Sequence, residues 1–179
     1  MERSIIIAGF GGQGVLLIGK ILANIFMKNN KKVTWYPCYG SEMRGGAVNC
    51  EIVVSDDEVT SVHKKTTDIL VCLNDISFKK FIPQLNCGGT VIANTSMIKN
   101  INISDNMKVI KAAISDMAIK LGNVKASNMV ALGILSTLFE NINFSEIPNI
   151  IKNMFPNKPE LVNLNINAFM EGKQLGECV

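Results

Sequence analysis

The stretch SIIIAGFGGQGVLLIGKILANIFM, Ser4 to Met27, leaves the start of this chain few ways to fold. Three isoleucines in a row, stiff at χ1, favour a buried strand over Ser4–Ala8. The apolar run from Gln13 to Met27 is too long for a strand and predicts a helix of about four turns. Between them Gly9, Gly11 and Gly14 complete G-x-G-x-x-G, in the strand-to-helix position where that spacing has a physical meaning. Glycines there permit a tight turn, let a phosphate approach the backbone and let the helix pack on the strand. The unpaired N–H groups at the helix start then attract an anion. Gly9, Gly11, Gly12, Gln13 and Gly14 are therefore the candidate cofactor-binding residues. A strand–helix turn that binds nothing needs the same glycines, so both readings stand at this point.

What accompanies the glycines narrows the ligand. A dinucleotide fold places a carboxylate near the end of its second strand, for the ribose. Here the second predicted strand, KVTWY at Lys32–Tyr36, ends in Pro37 and Cys38 without an acid. Gly14-Val15-Leu16 stands where a P-loop has G-K-[ST]. Phosphate binding is supported, free NAD binding hardly, and a Walker-type nucleotide site is excluded.

The rest of the chain alternates between strand and helix patterns. Strands are predicted at Ala47–Val54, Asp68–Leu73, Thr90–Ala93 (after a Gly88-Gly89 turn) and Lys108–Ala112, and the polar stretch from Asn94 to Met107 reads as a loop that leaves room for a short strand at its centre. Helices are predicted over Ile76–Leu85 (bent at Pro83), Ser115–Leu121, Asn128–Phe139 with Ser127 as N-cap, a segment from Ser145 to Met154, and Lys158–Met170 before a short polar tail. The alternation implies βαβ units in one domain over residues 1–179: an α/β three-layer sandwich with a mostly parallel sheet.

Composition removes several function classes. The net charge is only +3, and the lysines come as isolated pairs (Lys31-Lys32, Lys64-Lys65, Lys79-Lys80), without the concentrated basic face of a nucleic-acid module. No apolar run approaches the roughly 20 residues that cross a bilayer. The first residues pass straight into strand and glycine turn, without a basic, cleavable leader. The five cysteines, Cys38, Cys50, Cys72, Cys87 and Cys178, have no CxxC spacing. These features predict a reduced, cytoplasmic chain with neither a zinc site nor an iron–sulfur cluster of its own. His63, the single histidine, lies in the polar stretch SVHKKTT and reads as a solvated loop residue. With 47% apolar and 18% charged residues, the charged surface is thin, as in a subunit that hides part of its exterior or in an ordinary compact α/β domain.

YGSEMRGG, Tyr39 to Gly46, places an acid, a base and a glycine pair between two strands. Glu42 and Arg44, two apart, point to one side of an extended segment and can pair with each other or with separate partners. Gly45-Gly46 permits a sharp turn or a close approach by another chain. A surface ion pair in a flexible loop fits the spacing equally well.

GFGGQGV at Gly9–Val15, together with VTWYPCYGSEMRGGAVNC at Val33–Cys50, resembles the gamma subunit of 2-oxoacid:ferredoxin oxidoreductases. The resemblance continues through NMVALG at Asn128–Gly133 and Asn167-Ala168-Phe169, and so covers essentially the whole chain. The form with Trp35 and Pro37 is most similar to the 2-oxoglutarate type, with Cys38 and Ser41 as departures from the family's serine and proline. The resemblance implies a non-autonomous enzyme subunit that itself carries no catalytic and no metal-binding residue. Thiamine diphosphate, Mg and iron–sulfur clusters would reside on alpha, beta and ferredoxin-like delta partners, with ferredoxin reached through the complex. It further implies a coenzyme A contact at Gly9–Gly14 and an interface or site-closing loop formed by Tyr39, Glu42, Arg44, Gly45 and Gly46. No nucleic-acid or membrane partner is expected, and a homodimer of the isolated chain is allowed. A pyruvate or indolepyruvate complex, a free-standing coenzyme A- or nucleotide-binding protein, and a purely architectural subunit are the alternatives.

Overall fold

The isoleucine run lies at the heart of the molecule because it is covered on every side. The computed structural model describes residues 2–38, 47–59 and 61–178. Strand β1 (Glu2–Phe10) is hydrogen-bonded on one edge to β3 (Ala47–Ser55) and on the other to β4 (Thr67–Cys72). With β2 (Lys32–Cys38), β5 (Leu85–Asn94) and β6 (Lys108–Ala112) they form one six-stranded sheet in the order β2-β3-β1-β4-β5-β6. Successive side chains of a strand point to opposite faces. Ile5 and Ile7 accordingly enter one core and Ile6 and Ala8 another, none more than 3% exposed.

The first core is the larger. It is roofed by α1 (Val15–Lys28), α3 (Ile114–Lys120), α4 (Ser127–Ser136), α5 (Ile147–Met154) and α6 (Pro159–Glu177). The second face is covered by α2 (Asp75–Phe81), through Phe78 and Phe81, and by Ile98 with Ile101, Ile103 and Met107 of the segment after β5. The expected three-layer α/β sandwich is present. The sheet is parallel across β1, β4, β5 and β6 and antiparallel where β3 joins β1 and β2. Residues 39–46 between β2 and β3 are fewer than the dozen or more that a parallel crossover needs, so β3 returns as a hairpin partner. It slots between β1 and β2, whose own connection is the α1 crossover. Pro37 is tolerated because β2 is an edge strand.

Several local expectations are corrected. Ser127 does not cap α4: its hydroxyl donates to Val124 O (2.6 Å), and a 3₁₀ turn at Val124–Ala126 leads into the helix. Ser145 does not cap α5 either, which starts at Ile147 with Pro148 in its first turn. Pro83 ends α2 in a 3₁₀ turn (Ile82–Gln84) instead of bending it. Gly88-Gly89 lies inside β5, where the pairing with β4 jumps from Thr67↔Leu85 to Ile69↔Thr90 and Gly88 takes φ 76°. Residues 95–107 form the expected loop, without the short strand at its centre. The last helix runs beyond Met170 to Glu177.

The extension of α6 has a packing cause. Every residue of α4 is buried, so α4 needs a partner that can approach very closely. A Cβ on Gly133 would lie 2.2 Å from Phe169 O and 2.6 Å from Lys173 N, and one on Gly172 would lie 2.1 Å from Val130 O. The two backbones touch where the glycines face each other, so Gly172 marks a contact and not a helix end. Gly133→Ala or Gly172→Ala is expected to cost on the order of 2–3 kcal/mol through overpacking against backbone atoms that cannot move aside. Urea unfolding checks it: the midpoint should fall with little change in slope.

Candidate functional site

Two crossovers leave the sheet in opposite directions. From β1 the chain turns into α1 on one face and returns as β2. From β4 it turns into α2 on the other face and returns as β5. The switch point of the topology therefore lies between the carboxyl ends of β1 and β4, the position where open α/β sheets bind ligands in a crevice. Leu73 N–H donates to Ala8 O (2.9 Å) and holds the two strand ends together there.

The glycine loop forms one wall. Gln13 N–H closes a turn on Phe10 O (3.1 Å), while Gly12 and Gly14 adopt φ of 94° and 74°, a region that disfavours any side chain. Gly14 is the N-cap of α1 and has no side chain with which to cap it. Among the described residues, the N–H groups of Val15 and Leu16 find no acceptor, and no acid stands in the first turn. The positive end of the helix dipole is thus left unneutralised at the switch point.

Gln13 behaves differently from a free ligand contact. Its side chain folds back, and its Oε1 accepts from Phe10 N–H (2.6 Å) and from Asn74 Nδ2 (3.0 Å). Asn74, 1% exposed, in turn caps α2 by accepting from Ser77 N–H (2.9 Å). One glutamine thereby ties the loop after β1 to the loop after β4. Gly9 makes room for this arrangement, since a Cβ there would lie 2.7 Å from Gln13 Oε1. Asn94 does a similar job one strand further along, with Nδ2 donating to Leu73 O (3.0 Å) and Ser115 Oγ (2.9 Å). The carboxyl edge of the parallel strands is thus fixed by buried amides before any ligand arrives.

Asn128, near the start of α4, completes the site. It is 5% exposed, and its Nδ2 lies only 2.2 Å from where a Cβ on Gly14 would sit. Its Oδ1 is buried without a hydrogen-bond partner. An unpaired buried polar atom of this kind costs about 1–3 kcal/mol.

The expected site residues Gly9, Gly11, Gly12, Gln13 and Gly14 share this loop; Asn74, Asn94 and Asn128 join them without having been singled out as site residues. In the sequence, Asn74 carries a signal as a cap residue directly after an apolar strand. Tyr39, Glu42, Arg44, Gly45 and Gly46 lie outside the described residues. The strands that flank them, ending at Cys38 and resuming at Ala47, are anchored beside the glycine loop, because Ala47 is the register partner of Phe10.

The arrangement can bind an anion, and the glycine cradle with its unpaired donors fits a phosphate. Among the described residues it offers little for proton transfer or nucleophilic attack. Burial and the nearby Glu51 carboxylate raise the Cys38 thiol, burial pushes Cys50 up to about 12, and burial also raises Cys72. Thiols held neutral in this way are poor nucleophiles. Among the described residues no group of three His, Cys, Asp or Glu is placed to hold a metal ion, and no helix is long and apolar enough to cross a membrane. His63 is not simply solvated: its Nδ1 lies 2.6 Å from Oε2 of Glu51, itself 8% exposed.

A cavity of about 800 Å³ opens at the opposite, amino end of the strands, lined by Arg3, Asp68, Gly88, Lys108 and Glu140 among others. Much of its charge is already used internally. Arg3 donates to Leu138 O (3.0 Å), and Glu2 pairs with Lys64 (2.7 Å). Burial raises the Asp68 carboxyl, but hydrogen bonds from Ser4 and Asn86 outweigh it and hold it below the usual range. The carboxyl-end switch point, with its unpaired donors, is the better candidate site.

Gly14→Ala is expected to combine left-handed strain of about 1–2 kcal/mol with a clash against Asn128. Thermal unfolding should show a lower midpoint, and phosphate-bearing ligands should no longer protect the chain against unfolding. An unchanged midpoint with ligand protection intact would contradict this geometry.

Comparison with known proteins agrees with the fold. Residues 4–175 match the family model described as pyruvate ferredoxin/flavodoxin oxidoreductase. The 2-oxoglutarate synthase subunit KorC of Methanothermobacter marburgensis is 32% identical over 182 residues, covering 98% of this chain and 97% of that subunit. The ketoisovalerate oxidoreductase subunit VorA of the same organism is 31% identical over 172 residues, but this chain spans only 36% of its length. Among solved structures, the gamma subunit of a keto/oxoacid ferredoxin oxidoreductase from Geobacter sulfurreducens PCA superposes with a TM-score of 0.82 at 26% identity, covering 99% of both chains. A sheet built around β1, a glycine turn at its carboxyl end and a family match over nearly the whole chain lead to one conclusion: this chain belongs to the pyruvate ferredoxin/flavodoxin oxidoreductase family.

Proposed function

We propose that this chain, as one domain over residues 1–179, is the gamma component of a cytoplasmic, multi-subunit 2-oxoacid:ferredoxin oxidoreductase that converts 2-oxoglutarate or a related 2-oxoacid to its acyl-CoA. The observation that carries this reading is a site able to hold an anion but, among the described residues, poor in groups that could perform chemistry on it. Such a chain contributes binding and assembly, and the decarboxylation and electron transfer fall to other subunits. Thiamine diphosphate with Mg and the iron–sulfur clusters belong to alpha, beta and ferredoxin-like delta partners. The relatives' names favour 2-oxoglutarate, since several 2-oxoglutarate synthase subunits match over nearly their full length at 30–32% identity, against 24% for the full-length indolepyruvate oxidoreductase subunits; the ketoisovalerate relative makes a branched 2-oxoacid the second reading.

Coenzyme A fits the glycine loop through its phosphates, with the N–H groups of Val15 and Leu16 and the backbone at Gly12 and Gly14 as the contacts. Bound there, it would supply the thiol that accepts the acyl group. Gln13 and Asn74 hold the loop in shape, so that little ordering is needed on binding. Tyr39, Glu42, Arg44, Gly45 and Gly46 form, on this reading, an interface loop facing the thiamine-bearing partner.

Purification of the chain from native extract tests the proposal. Thiamine- and cluster-bearing subunits should accompany it, and the preparation should reduce a low-potential acceptor only with a 2-oxoacid and coenzyme A. Recovery of the chain without such subunits would overturn the assignment. Arg44→Ala should impair assembly or coenzyme A-dependent turnover; normal assembly with wild-type turnover would refute the loop reading alone.

A further inference from the structure

Asn128 is the part of the site that its surroundings do not explain. Its neighbours in the carboxyl-edge network, Gln13, Asn74 and Asn94, all spend their amides on hydrogen bonds within the chain. Asn128 is 5% exposed, yet its Oδ1 has no partner, and no described group accepts from its Nδ2. It is also not idle filler on a distant surface. The amide nitrogen occupies the space where Gly14 would carry a Cβ, at the residue that starts α1. An unpartnered, buried amide is thus aimed at a helix start whose first N–H groups are themselves unpaired among the described residues.

We propose that Asn128 is a binding residue for a phosphate- or diphosphate-bearing ligand, donating through its Nδ2 to a phosphoryl oxygen seated on the Val15 and Leu16 N–H groups. The inference rests on the reading of the glycine loop as a phosphate site and adds a side chain that touches the anion. No hydrogen bond anchors the amide, so it reorients about χ2 at little cost when a ligand arrives. Asparagine suits the position chemically. It adds a neutral donor beside the positive helix end without a counter-charge, whereas a carboxylate there would itself neutralise the N–H groups and repel the ligand. Gly14 is required twice over, for its backbone conformation and for the space that the amide fills.

Inorganic pyrophosphate titrated into the full chain tests this, read by calorimetry and by the side-chain amide resonances of the ¹⁵N-labelled protein. The Asn128 amide resonance should move on binding, and Asn128→Asp should weaken pyrophosphate roughly tenfold to a hundredfold, as expected for one charge-assisted hydrogen bond, while the thermal midpoint stays close to that of the parent. Asn128→Ala should also weaken binding, by less than the aspartate, because it removes a donor without adding repulsion. If the parent binds pyrophosphate and Gly14→Ala does not, while the Asn128 resonance stays still and both Asn128 variants bind like the parent, the inference is overturned and the loop reading survives. If the parent fails to bind pyrophosphate, the loop reading fails and this inference falls with it. The resonance of the parent protein decides the matter even if a variant does not fold.

Discussion

The structure depends on β1 being enclosed by protein on both edges and both faces. A strand with Ile5, Ile6 and Ile7 buried in alternate directions can neither slip in register nor tilt without exposing one of two cores. That rigidity fixes where β1 ends, and so where the glycine turn lies. Because β4 is pinned alongside and sends its helix to the opposite face, the end of β1 is also a topological switch point. The site is thus a consequence of how the strand is buried. The amides of Gln13, Asn74 and Asn94 then bind the loops together at an edge whose position was already determined.

The division of labour between sequence and tertiary context can be read from particular residues. The β1–turn–α1 unit is legible because local chemistry determines it: β-branched strand residues, glycines at positive φ, and a long apolar helix. The antiparallel insertion of β3 is not legible from periodicity. It follows from the shortness of the 39–46 connection and from the α1 crossover that leaves a gap beside β1. Gly172 serves a backbone contact with α4, and Gly176 makes room for the Thr137 side chain just past the end of that helix, contacts that only the folded chain reveals. Ser127 has the chemistry of a cap but follows a 3₁₀ turn that already supplies acceptors. Asn74, Asn94 and Asn128 read as ordinary turn or cap residues, because their partners are distant in sequence.

Two observations of different kinds bear on function. Family membership comes from a match over nearly the whole chain, and it says what sort of assembly to look for. The geometry indicates what this chain contributes: an electropositive helix start, a preformed loop and an unpaired buried amide, beside thiols held neutral by burial. On the function proposed above, preorganised binding with little chemistry among the described residues suits a subunit that would present one reactant to a centre carried by another chain.

A crystal structure of the chain with coenzyme A tests the central claim most directly, because the two ends of the sheet offer alternative locations. Phosphate density is expected on the N–H groups of Val15 and Leu16, beside Gly14 and Asn128. Ordered ligand in the cavity at the amino ends of the strands, against Arg3 and Lys108, would contradict it.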